Sequence, residues 1–102
     1  MADTLELTYY YGNDCGVCAA SRPRVQALAD EYQVPMVLKF IEDNLAEATQ
    51  LLIFTVPAIV LRRGDKELHR QVRLIDFHQL ELVLAKETAY MILTVDLGNS
   101  NL

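Results

Sequence analysis

The two cysteines of this 102-residue chain stand three positions apart, in the segment Cys15-Gly16-Val17-Cys18. A run rich in aromatic and β-branched residues, Leu5 to Tyr11, precedes the pair, and apolar residues at helical spacing follow it. This pattern predicts that two sulfur atoms lie at the junction between a strand and a helix. It therefore indicates thiol chemistry at a helix N-terminus.

The spacing of the pair suits thiol–disulfide exchange. Cys15 is predicted at or near the N-cap, where unpaired backbone N–H groups and the helix dipole favour a thiolate. Cys18 follows about one helical turn later, close enough to resolve a mixed disulfide that forms on Cys15. The intervening Gly16 and Val17 carry no charge. The absence of a histidine between the cysteines favours a reductant over a strong oxidant.

Two other uses of the cysteine pair are open at this point. A four-thiolate zinc or iron–sulfur site needs two more ligands, so it would have to be shared across a dimer. His69 and His78 lie nine residues apart in the sequence and follow no usual zinc-ligand spacing. A structural disulfide of this short loop would stabilise the fold only slightly. The pattern favours redox chemistry over both alternatives, and we expect no bound cofactor or metal.

Length and charge limit the classes of function. A chain of 102 residues forms one domain, which we place at residues 1–102. The net charge of -5 and the scattered arginines and lysines argue against nucleic-acid binding. No apolar run approaches the roughly 20 residues of a membrane span, and the N-terminus lacks the features of a signal peptide. We therefore expect a cytoplasmic protein, in a compartment where such a pair is more often catalytic than structural.

Hydrophobic periodicity predicts an α/β fold with the order β-α-β-α-β-β-α and a mixed central sheet of about four strands flanked by helices. The predicted strands are 4–11, 36–41, 58–62 and 67–72, and the predicted helices are 15–32 with a kink at Pro23, 45–53, and one capped by Asp76. In the second helix we expect four inward residues: Leu45, Ala48, Leu51 and Leu52. The apolar segment 90–102 is predicted to extend the last helix and to dock on the domain or on a second copy.

Three features of residues 4–85 resemble the thioredoxin family. They are the Cys15–Cys18 pair, Pro23 five residues after Cys18, and Thr55-Val56-Pro57 before a strand. The resemblance implies a thioredoxin fold and reduction of protein disulfides, with Cys15 as nucleophile and Cys18 as resolving thiol. In such proteins the proline is cis and lies against the cysteines, so Thr55, Val56 and Pro57 are expected to position the substrate.

The resemblance also implies partners and a proton-transfer residue. The partners would be disulfide-containing proteins as substrates and an electron donor, such as a thioredoxin reductase or a low-molecular-weight thiol. Lys39 stands where the family keeps a lysine near the buried end of the active site, and it is the candidate for proton transfer at Cys18.

Three positions depart from the family pattern. Asp14 replaces the tryptophan before the first cysteine, and its carboxylate should raise the pKa of the Cys15 thiol. Tyr9 stands at the position of a buried aspartate, so a tyrosine of the segment 9–11 either places its hydroxyl near the site or only packs in the core. Arg73 stands where the family has glycine beside the substrate groove, and it should reshape docking. These departures favour the competing hypothesis, a redox-silent binding module with the same fold.

Overall fold

The computed structural model describes residues 4–96, with side chains described through residue 89. The seven main elements follow the predicted order, and a short 3-10 helix, Ile41–Asn44, precedes α2. They are β1 Leu5–Tyr11, α1 Gly16–Glu31, β2 Met36–Phe40, α2 Leu45–Gln50, β3 Ala58–Arg63, β4 Lys66–Val72 and α3 Phe77–Asp96. The predicted fold class and element order are confirmed.

The four strands form one mixed sheet in the order β2-β1-β3-β4. β1 pairs with β2 in parallel, across the connection that contains α1, and with β3 in the antiparallel sense. β3 and β4 form a hairpin around Gly64 and Asp65. The inner strands are therefore β1 and β3, and β1 leads directly into the loop that carries Cys15.

Neighbouring tyrosines of β1 enter different cores because successive side chains of a strand point to opposite faces of the sheet. Tyr9 packs in the larger core with residues of α1 and α3, which include Val25 and Leu84. Tyr10 packs in the smaller core, together with Ala48 of α2. The sheet therefore has α1 and α3 on one face and α2 on the other. Burial of each large apolar side chain stabilises the fold by roughly 1.5–3 kcal/mol.

The prediction for the second helix is wrong in its length and in part of its inward face. α2 ends at Gln50, and Leu45 and Leu52 are 59% and 70% exposed. The backbone turns out of the helix at Leu52, whose φ is 62°, and the Ile53 N–H then donates to the Ala48 carbonyl across 2.8 Å. This left-handed C-terminal turn brings Ile53 into the core instead of Leu52.

The long helices begin as predicted. Asp76 caps α3, since its Oδ1 accepts from the Gln79 N–H at 3.0 Å. α3 continues to Asp96, so residues 90–96 extend the last helix, while the predicted docking of segment 90–102 lies outside the side chains that the structure describes. None of the helices within residues 4–96 is long and apolar enough to cross a membrane.

Candidate active site

Cys15 and Cys18 form a disulfide at the N-terminus of α1, with Cα atoms 5.1 Å apart. Cys15 is the N-cap residue, as predicted, and its Sγ accepts from the backbone N–H of Cys18 at 3.0 Å. Cys15 is half-buried, whereas Cys18 is only 5% exposed. An incoming group therefore meets the Cys15 sulfur first, and that sulfur lies where a backbone N–H stabilises a thiolate.

The loop before Cys15 lies against the segment that contains Val56. A Cβ atom added at Gly12 would come within 3.1 Å of the Val56 Cγ2 atom, so glycine permits this close approach. Two residues later, Asp14 has a φ of 53°, a left-handed conformation that aspartate tolerates better than most residues. The Asp14 side chain is exposed beside Cys15. The active-site loop and the Val56 segment thus form one surface.

The Val56–Pro57 peptide bond is cis, and Pro57 is buried. The Pro57 carbonyl accepts from the Arg73 N–H at 2.6 Å, which joins the start of β3 to the end of β4. Within residues 4–96, no hydrogen bond involves the backbone of Val56. Its N–H and C=O groups are therefore unpaired within this part of the chain.

The Tyr9 hydroxyl lies directly beneath the cysteine pair. It donates to the Cys18 carbonyl across 3.0 Å and shares a hydrogen bond of 2.6 Å with Ser21 Oγ. Of the two alternatives stated for the tyrosines, the first therefore holds for Tyr9: its hydroxyl contacts the active-site helix, while its ring is fully buried in the core. Burial raises the pKa of Tyr9 and outweighs the lowering effects of Ser21 and Arg22, so the hydroxyl is neutral near neutral pH.

Ser21 was not among the residues predicted for the site. The available signal was its spacing, since a small polar residue three positions after Cys18 lies one turn along the same helix face. Ser21 is buried, and its hydroxyl needs a partner that Tyr9 supplies. Packing patterns alone do not predict this cross-link, because its other end comes from a different element.

Lys39 lies on the face of the sheet that carries α2. Its Nζ contacts both carboxylate oxygens of Glu47 at 2.8 Å, and the Tyr10 hydroxyl donates to the same carboxylate. The reason is register: Lys39 pairs with Tyr10, on the face that carries α2, while Tyr9 pairs with Leu38. The Lys39 side chain and the Tyr9 hydroxyl therefore lie on opposite faces of the sheet, and the proton-transfer role of Lys39 stays a prediction.

The contacts of the Glu47 carboxylate shift the pKa values of Glu47 and Tyr10. Hydrogen bonds from Lys39 and then from Tyr10 lower the pKa of Glu47. Burial, followed by the contact with Glu47, raises the pKa of Tyr10 to about 12. The Glu47 carboxylate therefore stays ionised and the Tyr10 phenol neutral near neutral pH, and their hydrogen bonds stabilise the contact between the sheet and α2.

In the part of the chain that the structure describes, neither histidine is hydrogen-bonded to Cys15 or Cys18. His69 Nε2 lies 2.9 Å from the Gln71 side-chain nitrogen, burial lowers the pKa of His69, and His78 is exposed. In the part of the chain that the structure describes, no group of three or more histidine, cysteine, aspartate or glutamate residues is placed to hold a metal ion.

A cysteine pair at the N-terminus of a helix, beside a cis-proline segment on a four-stranded mixed sheet, defines a protein of the thiol–disulfide exchange class. No family model matches the chain. A thioredoxin of Chlamydia muridarum is 30% identical over 87 residues, which cover 84% of this chain and 85% of that protein. The thioredoxin-like protein YdfQ of Bacillus subtilis is 32% identical over 73 residues, which cover 71% of this chain and 65% of that protein.

Solved structures show the same fold. A mutant thioredoxin from Halobacterium salinarum matches with a TM-score of 0.76 and 24% identity, over 84% of this chain and 76% of that one. Thioredoxin-2 of a malaria parasite matches with a TM-score of 0.74 and 18% identity, over 84% of this chain and 85% of that one. The chain belongs to the thioredoxin family. It is a thiol–disulfide oxidoreductase of the disulfide-reducing kind.

Proposed function

We propose that Cys15 is the nucleophile and Cys18 the resolving thiol in the reduction of protein disulfides. The supporting observation is the capped position of Cys15 Sγ, which combines partial exposure with a backbone N–H donor. The Cys15 thiolate attacks one sulfur of the substrate disulfide, so a mixed disulfide forms and one substrate thiolate leaves and takes up a proton. Cys18 then loses its proton and attacks Cys15 Sγ. The Cys15–Cys18 disulfide forms, and the second substrate thiol is released.

The cycle needs an outside source of two electrons. The oxidised pair that the structure contains must be returned to two thiols by an electron donor, either a reductase protein of the kind that serves thioredoxins or a low-molecular-weight thiol. We place the protein in the cytoplasm, where disulfides are kept reduced. Disulfide-containing proteins are the proposed substrates.

The segment Thr55-Val56-Pro57 is the proposed docking strand for the substrate. The unpaired backbone groups of Val56 support this role, because an extended substrate segment can add to them as a strand adds to a sheet edge. The close contact between Gly12 and Val56 would hold that segment beside the cysteine loop. Asp14 is the proposed modulator of the Cys15 thiol, acting through its charge.

Two serine variants test the assignment of the cysteines. Serine keeps an oxygen that can cap α1, so Cys15→Ser should fold while losing disulfide reduction. Cys18→Ser should still attack a substrate disulfide but should accumulate as a mixed disulfide, visible as a mass increase that a reducing agent reverses. The assays are reduction of an insulin-type disulfide substrate and intact mass. A wild-type protein that reduces no disulfide would favour the redox-silent binding module instead.

A further inference from the structure

Arg73 has an unusual position directly after β4. Its φ is 77°, in the left-handed region where glycine is the favoured residue. Its side chain is exposed, and no ion pair within the described residues involves it. The backbone N–H of Arg73 donates to the Pro57 carbonyl, a bond that any residue other than proline could make. The hydrogen bond therefore does not explain why an arginine stands here.

The residues around Arg73 belong to the surface next to the disulfide. Leu74 is 78% exposed and Val17, between the two cysteines, is 46% exposed. These two side chains line a shallow hollow between α1 and the segment after β4, together with Ala20, Arg24 and Phe77. An apolar side chain of a docked substrate would be covered there. Because Arg73 directly precedes Leu74 and bonds to Pro57, it stands between this hollow and the proposed docking strand.

The one charged residue among those that line the hollow is the basic Arg24, although the chain as a whole carries a net charge of -5, and Glu81 lines the adjoining hollow with Arg24 and Phe77. The protein carries 14 acidic and 9 basic residues, but α1 has only Arg22 and Arg24 as charged residues before Asp30. The Arg24 guanidinium lies 3.8 Å from the centre of the Phe77 ring, so its charge borders the hollow. The acidic residues that flank these segments in sequence are Asp14 and Asp76, and Asp76 already caps α3.

We propose that Arg73 selects substrates in which an aspartate or glutamate lies beside an apolar residue next to the reacting disulfide. This inference rests on the proposed function, because it assigns the substrate class of the same site. The carboxylate would pair with the free guanidinium while the apolar residue covers Val17 and Leu74. An exposed ion pair of this kind changes a rate or affinity by about 1.5-fold to fivefold and weakens with salt.

Two synthetic peptides test this selection. Both contain the same small disulfide loop and a leucine beside it, but one carries two aspartates next to the leucine and the other carries two lysines. The measured quantity is kcat/KM for their reduction at low ionic strength and at about 0.5 M salt, where charge effects are screened over a few ångströms. The wild-type protein should reduce the acidic peptide about twofold to fivefold faster, and salt should remove most of the difference.

Variants at Arg73 separate its charge from its backbone conformation. Arg73→Gly should abolish most of the preference and fold without difficulty, since glycine suits a φ of 77°. Arg73→Glu should invert the preference, and Arg73→Lys should retain it. Lys66→Glu is the matched control, because it makes the same change in net charge at the exposed far end of β4, about 20 Å from Arg73 along an extended strand.

The outcomes distinguish this inference from the function on which it rests. Equal reduction of both peptides by the wild-type protein, or an unchanged ratio in Arg73→Glu, overturns the selection by Arg73 while leaving disulfide reduction intact. An equal shift in Lys66→Glu also overturns it, because net charge alone would then explain the preference. If the wild-type protein reduces neither peptide although its cysteines are in the thiol form, both the proposed function and this inference fail.

Discussion

The hydroxyl group of Tyr9 lies 3.0 Å from the carbonyl oxygen of Cys18, so the central strand of the sheet is hydrogen-bonded to the first turn of the active-site helix. Ser21 Oγ lies 2.6 Å from the same hydroxyl and extends this contact to the second turn. All three residues are buried. The position of Cys18, the proposed resolving thiol, is therefore set by the core of the protein and not by a surface loop.

Replacing Tyr9 with phenylalanine should cost about 1–3 kcal/mol of the free energy of unfolding, because the buried Ser21 hydroxyl and Cys18 carbonyl lose a partner. Urea unfolding of the oxidised protein measures this loss. Tyr11→Phe is the control, since Tyr11 is half-buried and its hydroxyl has no hydrogen-bond partner in the described part of the chain. Equal losses in the two variants would mean that the Tyr9 hydroxyl contributes nothing specific.

Asp14→Asn should increase the reactivity of Cys15. Removal of a negative charge beside the thiol favours the thiolate, so the pKa of the Cys15 thiol should fall. The rate of alkylation of the reduced protein, followed against pH, reports this change. Asp65→Asn in the β3–β4 turn is the matched control and should leave the pH dependence of the alkylation rate unchanged. An unchanged profile in Asp14→Asn would remove Asp14 from the site.

Glu47→Gln should reduce stability near neutral pH by about 1 kcal/mol or less, because Glu47 is partly exposed and its ion pair with Lys39 is screened. The pKa of Glu47 is lowered in the folded protein, so its contribution is complete above the unfolded value of 4.5 and is lost as the pH falls through the folded value. The difference in the free energy of unfolding between wild type and variant should therefore shrink as the pH falls below about 4.5.

Thermal unfolding at several pH values checks this prediction, with Glu42→Gln as the control. Glu42 is exposed and forms no ion pair among the described residues, so this variant should follow the wild type at every pH. A difference between Glu47→Gln and wild type that grows as the pH falls would contradict the assignment of the ion pair.

The reduction potential of the Cys15–Cys18 pair should lie near the roughly -270 mV of thioredoxins, because no histidine between the cysteines adds to the stability of the thiolate. Equilibration with glutathione or dithiothreitol buffers, followed by alkylation and mass measurement, gives the value. A potential near -120 mV would indicate an oxidant, and the proposed direction of electron flow would have to be reversed.

The elements that define the fold could be predicted because their signals are local. Alternating and helical periodicity, the caps at Cys15 and Asp76, and the turn at Gly64 each depend on a few neighbouring residues. The errors arose where two elements meet. The inward face of α2 depends on a left-handed turn at Leu52, and no glycine or asparagine in the sequence marks that turn.

The residues of the candidate active site also differ in whether local sequence could predict their positions. The position of Cys15 follows from a motif of four residues, whereas the location of Lys39 depends on the register between β1 and β2. A shift of one residue in that register moves a side chain to the other face of the sheet. The Tyr9–Ser21 hydrogen bond joins residues twelve positions apart in different elements, so no short sequence pattern predicts it.

The central place of β1 has a consequence for motion. β1 is hydrogen-bonded to a strand on each side and ends four residues before Cys15, so its amide hydrogens should exchange with solvent only in the rarest openings of the molecule. The cysteine pair follows shortly after this strand, whose amide hydrogens should exchange slowly. We therefore expect disulfide exchange to proceed without a large rearrangement of the strand that leads into the cysteine pair.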